Sequence, residues 1–497
     1  MMTSSAANPV QMPLSNVLGD YASADIDAVI SGVQIDSRKV TSGDLFLAIP
    51  GDAHDGRQFI EQAVASGAAA VLAEPPVAGF VDGIPVPMIE IPDLQMEAGA
   101  IASRFFGQPS AALHMIGVTG TNGKTTTSRL VAQLLRSLDK QCGVIGTLGC
   151  TLTEEVNEAG NTTPDPVALQ QQLASWRDAG VVAVSMEVSS HALVQGRING
   201  VVFETAVYTN LSRDHLDYHG SMDAYGRAKL KLFTCEGLQH AVINLDDAYS
   251  SQVEQALAAD VQRLGYSAKG DTGADLWIDD TSFHAGGVTG RMHSPWGTAR
   301  FSSPLPGDFN LGNLSAAVAS VVLAGEEFEA TLDAVSSLQP VPGRMQSIVN
   351  NAGLQVIIDY AHTPDALEQA LKALREHVAG KLVCVFGCGG DRDAGKRPVM
   401  GRVACEYSDL VIVTSDNPRN ENPQRILLDV EAGCTGDYRL VSAREDAIAL
   451  AIAQAQPGDC ILVAGKGHEP YQIIDDERLP FSDEAHVLDA LSLRGGA

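Results

Sequence analysis

Apolar and polar positions follow two alternating rhythms along most of this chain. From His114 onward, short continuous apolar runs are separated by stretches in which apolar residues recur every three or four positions. The runs are HMIGV (114–118), CGVIG (142–146), VVAVSMEV (181–188), TAVYTNL (205–211), AVINLD (241–246), VIIDY (356–360), LVCVFG (382–387), LVIVTSD (410–416) and CILVAGKG (460–467). Such runs, bounded by turn formers and alternating with helical periodicity, predict parallel strands covered by helices on both faces. Most of them end in Gly, Thr, Ser, Asn or Asp. In doubly wound sheets, ligands bind beyond the carboxyl ends of the strands, so those endings are where chemistry is expected. Pro/Gly breaks at GQPSA (107–111) and QPVPG (339–343) divide the chain into 1–111, 112–341 and 342–497.

Composition narrows the class. At 497 residues, a prior of roughly 150 per domain gives about three domains. With 45% apolar and 19% charged residues, the chain can bury several cores. Lys+Arg 33 against Asp+Glu 61 leaves a net charge of −28, which repels nucleic-acid backbones and excludes a general nucleic-acid role. Residues 1–37 carry no Lys or Arg, and no apolar run approaches the roughly 18 residues of a membrane span. Eight scattered cysteines lack paired metal-site spacing and suit reduced thiols. A cytoplasmic protein without membrane insertion is expected, and a monomer.

The most informative stretch is Gly117-Val-Thr-Gly-Thr-Asn-Gly-Lys-Thr-Thr-Thr127, between a predicted strand and an amphipathic helix with Leu130, Val131, Leu134, Leu135 and Leu138 on one face. Glycines let backbone N–H groups turn toward an anion, and the helix start adds donors and the positive end of its dipole. Lys124 would neutralise terminal phosphates, and the Thr125 hydroxyl would ligate Mg²⁺. Position 118 is Val where the strict phosphate-loop pattern has Gly, so the spacing is G-x-x-G-x-x-G-K-T.

That variant loop resembles the ATP site of the Mur ligases, which join amino acids to the UDP-linked precursor of bacterial cell wall. The resemblance extends over nearly the whole chain through NTTPDP (161–166), MEVSSHALVQGR (186–197), YTNLSRDHLDYHGSMDAYGRAK (208–229), GDFNLGN (307–313), VPGRM (341–345), DYAHTPD (359–365), GCGGDRDAGKRP (387–398), DNPR (416–419) and GKGHE (465–469). It is similar to the branch that adds the third residue of the stem peptide. The implied fold is α/β in three domains: an N-terminal UDP-substrate domain, a central phosphate-loop ATPase domain with a mostly parallel sheet, and a C-terminal Rossmann-like domain.

The same resemblance implies roles residue by residue. ATP would be held by Gly120, Thr121, Asn122, Gly123, Lys124, Thr125 and Thr126, with Asn310, Asn313, Arg344, Asp359 and His362. From the residues alone, Asn310 and Asn313 could equally cap a helix. Glu187, His215 and a Lys229 carbamylated by CO₂ would join Thr125 in holding Mg²⁺, and Lys124, Lys229, His215 and Glu187 form the implied catalytic set. A plain ammonium at 229 would repel Mg²⁺, which makes the modification physically sensible. Ile35, Ser37, Asp52, Ala53 and His54 would meet the uridine diphosphate end of the substrate, although their string also reads as a buried strand and turn. Asn161, Thr162, Thr163, Ser189, Gln195 and Arg197 would hold its peptide end.

Arg392, Asp416, Asn417, Pro418, Arg419, Gly465 and Glu469 would select the incoming amino acid. An Arg fork with nearby acceptors can read the second carboxylate and ammonium of meso-diaminopimelate, and lysine would leave that Arg unpaired. The implied reaction is ATP-driven amide formation through an acyl phosphate, with small-molecule partners only. The alternatives are a lysine-adding Mur ligase, or another ATP-dependent member of the superfamily such as a folylpolyglutamate synthase. A nucleotide-binding switch would need the loop but not DNPR, GKGHE or Lys229.

Overall fold

All nine apolar runs form strands, and the ends of those strands carry the loops discussed below. The computed structural model describes residues 11–22, 28–51, 54–77, 83–153, 161–284, 287–375, 378, 380–475 and 477–495. The chain folds into two compact units. One comprises Met1–Gly117, Lys140–Ala206 and Thr234–Gln239, and the other Val118–Asp139, Val207–Phe233 and His240–Ala497.

In the first unit, Gly32–Gln34, Asp44–Ala48, Ala70–Ala73 and Met88–Glu90 form a four-stranded parallel sheet in that spatial order. Period-2 alternation serves both faces of the central strand. Leu45 and Leu47 pack with Ile101 and Phe105 of the helix Leu94–Phe105, while Phe46 and Ala48 pack with Ile60 and Ala63. Further along, Cys142–Gly146 pairs in parallel with Ala183–Glu187 and antiparallel with Gly149–Thr151. The helix Pro166–Asp178 starts cleanly, because Asp165 accepts hydrogen bonds from the Val167 and Ala168 N–H groups and Pro166 sits in its first turn.

The second unit holds the phosphate-loop helix Lys124–Ser137, the helix Phe309–Leu323 packed against it, and two groups of strands. His240–Asn244 and Gln262–Ser267 run parallel, then Leu276–His284, Gly287–Ser294 and Gly297–Ser303 continue as an antiparallel meander. The sequence reading did not anticipate this meander, because its strands alternate polar and apolar residues instead of forming continuous apolar runs. Nearer the C-terminus lies a six-stranded sheet in the spatial order Gln346–Ile348, Gln355–Asp359, Cys460–Ala464, Leu382–Phe386, Leu410–Val413, Tyr438–Leu440. Its pairings are parallel except for the first, and apolar clusters cover both faces. Among the described residues, no helix is long and apolar enough to cross a membrane.

Candidate active site

The phosphate loop is built by close backbone approach. Gly120 has φ +151°, and a Cβ there would lie 1.8 Å from the Thr209 hydroxyl oxygen. Gly123 has φ +85°, and a Cβ there would lie 2.4 Å from Asn313 Oδ1. Glycine is therefore the residue both positions accept. Gly123 occupies the N-cap of the helix Lys124–Ser137, and no side chain caps it. Such a helix start presents donors and positive dipole to an anion. Thr209 donates its hydroxyl to the Asn122 carbonyl (2.6 Å), and Asn210 Oδ1 accepts from the Asn122 N–H (2.9 Å), which fixes the loop against the segment behind it.

Two lysines meet at this loop. Lys124 Nζ donates to the carbonyls of Gly120 (2.9 Å) and Thr121 (2.8 Å), and Lys229 Nζ donates to the same Gly120 carbonyl at 2.8 Å. Lys229 lies on the helix Met222–Leu230, completely buried over the Tyr225 ring. Burial first, then the charge on Lys124, hold its amine well below the ordinary lysine range. A neutral amine is the nucleophilic form of lysine.

An open cleft of about 860 Å³ borders the loop, lined by Asn122, Gly123, Thr126, Asn310, Asn313, Arg344 and Asp359 among others. Asn310 and Asn313 sit inside the first turns of Phe309–Leu323 and do not cap it; Asp308 holds that position. Asn313 Nδ2 donates to Asn310 Oδ1 (3.0 Å), and Asn313 Oδ1 accepts from the Thr127 hydroxyl (3.3 Å). Arg344 donates to the Thr125 hydroxyl (3.0 Å) and lies over the Tyr360 ring. Asp359 accepts from the Met345 N–H (2.7 Å), and burial raises its carboxyl above the usual range.

A second cavity, about 660 Å³, shares Tyr360 with the first as a lining residue. Arg392, Asp416, Asn417, Arg419, Gly465 and Glu469 all face it. Arg419 has φ +51° and donates to the Gly390 carbonyl (2.8 Å). Burial, and then the neighbouring Arg392, lower its pKa, so an anion between the two guanidiniums relieves both. Asp416 is buried and its Oδ2 has no hydrogen-bond partner, the state of an acceptor awaiting a donor. Glu469 accepts from the Tyr360 hydroxyl (3.2 Å), Asn417 Nδ2 (2.9 Å) and Lys466 Nζ (3.0 Å). Pro418 is not part of the lining; its carbonyl packs where a Cβ on Gly390 would fall.

His362 lies on this second cavity and not on the cleft beside the phosphate loop. Its ring is held by the Tyr360 carbonyl at 2.8 Å and the Asp214 carboxylate at 3.5 Å. His215, left-handed at φ +53°, shares Asp214 at 3.4 Å.

In the other unit the residues expected from the sequence at the peptide end of a substrate converge in part. Thr163 donates its hydroxyl to the Glu187 carbonyl (2.8 Å) and accepts from the Ser189 N–H (3.1 Å), while Arg197 donates to the Thr163 carbonyl (3.0 Å). The Glu187 carboxylate is buried and accepts from both the N–H (2.8 Å) and hydroxyl (3.1 Å) of Thr147. A Cβ on Gly146 would stand 2.1 Å from Glu187 Oε1, so this carboxylate needs glycine beside it. Thr162 contacts Thr147 through its hydroxyl (3.2 Å), Gln195 follows the helix Ser190–Val194, and Asn161 is exposed.

Family models for Mur ligases match three stretches: the catalytic domain over residues 29–106, the middle domain over 118–321 and the glutamate ligase domain over 343–467. UDP-N-acetylmuramoyl-L-alanyl-D-glutamate–2,6-diaminopimelate ligase of Ectopseudomonas mendocina is 48% identical over 97% of this chain and 98% of its own. The protein of the same name from Pseudomonas aeruginosa is 47% identical over 97% and 99%. The chain belongs to the Mur ligase family. A solved ligase of that name superposes with a TM-score of 0.67 at 41% identity, covering 94% of this chain and 95% of the other.

Within this Mur ligase, several residues at the cavities escaped the sequence reading. Lys466 is fully buried and bonds Asn417 and Glu469, and Lys396 is buried with its Nζ 3.4 Å from Asp214. Tyr360 and Thr147 were missed too. Apart from the bond of Lys466 to Glu469 three positions on, these contacts span long sequence separations, so no local spacing reports them. At the N-terminal sheet, Ser37 is buried and bonds Gln62 (3.2 Å), Ile35 packs against the apolar core, and His54 is exposed. Asp52 and Ala53 lie outside the described residues. Among the described residues, no group of three or more His, Cys, Asp or Glu side chains is arranged to hold a metal.

Proposed function

We propose that this Mur ligase joins meso-2,6-diaminopimelate to the D-Glu side-chain carboxylate of UDP-N-acetylmuramoyl-L-Ala-D-Glu, using ATP. One observation carries the reading: Tyr360 lines both a cleft bordered by the phosphate loop and a cavity that Arg392, Arg419, Asp416 and Glu469 also line. An activating nucleotide and a doubly zwitterionic amine would then share one residue. The names of the relatives point the same way.

In this reading the substrate carboxylate attacks the γ-phosphorus of ATP, releasing ADP and forming an acyl phosphate. The diaminopimelate amine then attacks the acyl carbon, phosphate leaves, and the amine nitrogen loses its proton. Lys124, with Gly120–Thr126, Asn310, Asn313, Arg344 and Asp359, is assigned to ATP, where a fixed cation offsets charge developing on the phosphoryl oxygens. Ile35, Ser37, His54, Asn161–Thr163, Ser189, Gln195 and Arg197 are assigned to the UDP-peptide, and Arg392, Asp416, Asn417, Arg419, Gly465 and Glu469 to diaminopimelate. The distal carboxylate suits the guanidiniums of Arg392 and Arg419, and the ammonium suits the unpartnered Asp416 oxygen.

Mg²⁺ supplies charge neutralisation to such a reaction, and hard oxygen donors suit it. The Thr125 hydroxyl and Glu187 carboxylate fit, with His215, while Lys229 fits only as an anion. An amine in its neutral form can add to the carbon of CO₂ and lose a proton to give a carbamate, and burial favours that form at Lys229. Lys229→Met should therefore reduce kcat by about 10²–10³-fold, as losing a preorganised charged group does, while nucleotide binding persists. Unchanged turnover would remove Lys229 from the mechanism. The division into 1–111, 112–341 and 342–497, an intracellular compartment, and a monomer without nucleic-acid partners complete the proposal. The family-model spans and eight free cysteines support the first two.

The test is phosphate release with ATP, Mg²⁺ and the UDP-dipeptide, with meso-diaminopimelate or L-lysine in parallel. Turnover with diaminopimelate alone is expected. Turnover with lysine would keep the mechanism and overturn the reading of the second cavity.

A further inference from the structure

One fully buried ion pair lies outside every role described so far. Arg444 opens the helix Arg444–Gln454, Asp483 opens the C-terminal helix Asp483–Gly495, and neither side chain is exposed at all. The pair is bidentate, with Arg444 Nε donating to Asp483 Oδ1 at 2.7 Å and Nη2 to Oδ2 at 2.8 Å. Arg444 also donates to two backbone carbonyls, Ala464 at 2.9 Å and Ser415 at 3.5 Å.

The identity of those carbonyls matters. Ala464 immediately precedes Gly465, and Ser415 immediately precedes Asp416, so each belongs to a loop lining the second cavity. In the sheet, the strands leading to these loops are not neighbours, because Leu382–Phe386 lies between Cys460–Ala464 and Leu410–Val413. No ladder hydrogen bond joins those two strands directly, and the loops beyond them meet only further along, where Asn417 bonds Lys466 and Glu469 and the Arg419 backbone bonds that of Ile473 and Asp475. The guanidinium spans that gap with a rigid planar fork. Clearance above it is small, since a Cβ on Gly465 would fall 2.6 Å from Asp416 Oδ2. A shift of either loop therefore changes where Asp416, Asn417 and Glu469 meet a ligand. A buried pair is also a costly way to gain stability alone, because desolvation offsets much of its attraction.

We propose that Arg444, held by Asp483, is a positioning residue for the amino-acid cavity and sets the affinity for the incoming diamino diacid. It touches no substrate itself. The proposal rests on assigning that cavity to diaminopimelate.

The test compares Arg444→Lys, Asp483→Asn and the apolar pair Arg444→Met/Asp483→Leu with wild type, using the full chain. Val487→Ala serves as the control, since Val487 is a buried residue of the same C-terminal helix and belongs to an apolar cluster that includes no lining residue of the second cavity. KM is measured separately for diaminopimelate, ATP and UDP-dipeptide, alongside thermal unfolding. We expect KM for diaminopimelate to rise roughly tenfold or more, the scale of a sub-ångström misplacement, with the other two KM values within about twofold. The control should lower the unfolding midpoint without that selective rise. Should the Arg444 variants not fold, Asp483→Asn decides, because it keeps the guanidinium and weakens only its tether. An unchanged KM for diaminopimelate in any folded variant, an equal rise in all three KM values, or the same selective rise in Val487→Ala overturns the proposal. Wild type that turns over no diaminopimelate overturns both this proposal and the assignment beneath it.

Discussion

The cleft at the phosphate loop and the second cavity, proposed for the amino acid, share Tyr360, yet they are made in different ways. The loop is one contiguous segment, shaped by glycines with positive φ and by a helix start without a side-chain cap. The cavity is collected from separate segments around residues 214, 360, 389, 416 and 465, and held by side chains that reach across them. Arg397 shows the pattern: nearly buried, it bonds Glu421, Asp429 and the Gly389 carbonyl together. Binding by backbone can be encoded locally, whereas binding by side-chain charge needs a tertiary frame to fix each group. The first should fail all at once when its own residues change, and the second should degrade in steps.

Replacing the loop cation tests the sharpest side of that contrast. Lys124→Met should cut kcat by about 10²–10³-fold, the cost of removing one preorganised donor to developing charge, with KM for diaminopimelate little changed. Steady-state kinetics checks this, and a rise in the diaminopimelate KM as large as the fall in kcat would blur the distinction between the two sites.

The next effect is smaller and confined to the cavity. Arg419→Lys keeps the charge but loses the planar fork that bonds Gly390 and faces Arg392. We expect kcat/KM for diaminopimelate to fall roughly tenfold to a hundredfold, about 1.4–2.7 kcal/mol, while ATP binding by titration calorimetry stays as in wild type. Equal losses for both ligands would show that the two regions are one mechanical unit.

The smallest effect concerns the rim. Arg213, close behind the loop-facing Asn210, pairs with Asp393 beside the cavity at 2.8 Å, and its side chain is 46% exposed. The hydrogen bond from Arg213 holds the Asp393 carboxyl below its ordinary value. A carboxyl lowered in the folded state contributes stability that is present above its unfolded pKa and is lost as pH falls through the folded one. Arg213→Ala should therefore cost less than about 1 kcal/mol at neutral pH after screening. Denaturant unfolding should show that deficit vanishing once the pH drops below the carboxylate range. A deficit that persists in acid would assign Arg213 a packing role.

Legibility in the sequence follows the same contrast. The nine continuous apolar runs and the loop at 117–127 were readable because strand burial and phosphate-loop geometry leave contiguous signatures. DNPR and GKGHE were readable as motifs, and as parts of one pocket, through family resemblance and not through their spacing in the chain. The antiparallel meander at 276–303 and the small parallel sheet near the N-terminus carried weaker patterns. Asn310 and Asn313 showed two compatible local meanings, and only the packing of their helix against the phosphate-loop helix chose between them.

By itself the sequence determined the alternation of strand and helix, the glycine-dependent loop and the net charge of −28. Each depends on residues near one another in the chain or on a simple sum. Tertiary structure alone decided that Lys229 is buried against Gly120, that His362 faces the second cavity, and that Arg444 joins Ser415 to Ala464. Those facts depend on desolvation and on distances between residues tens to hundreds of positions apart. Such distances exist only after the chain has packed.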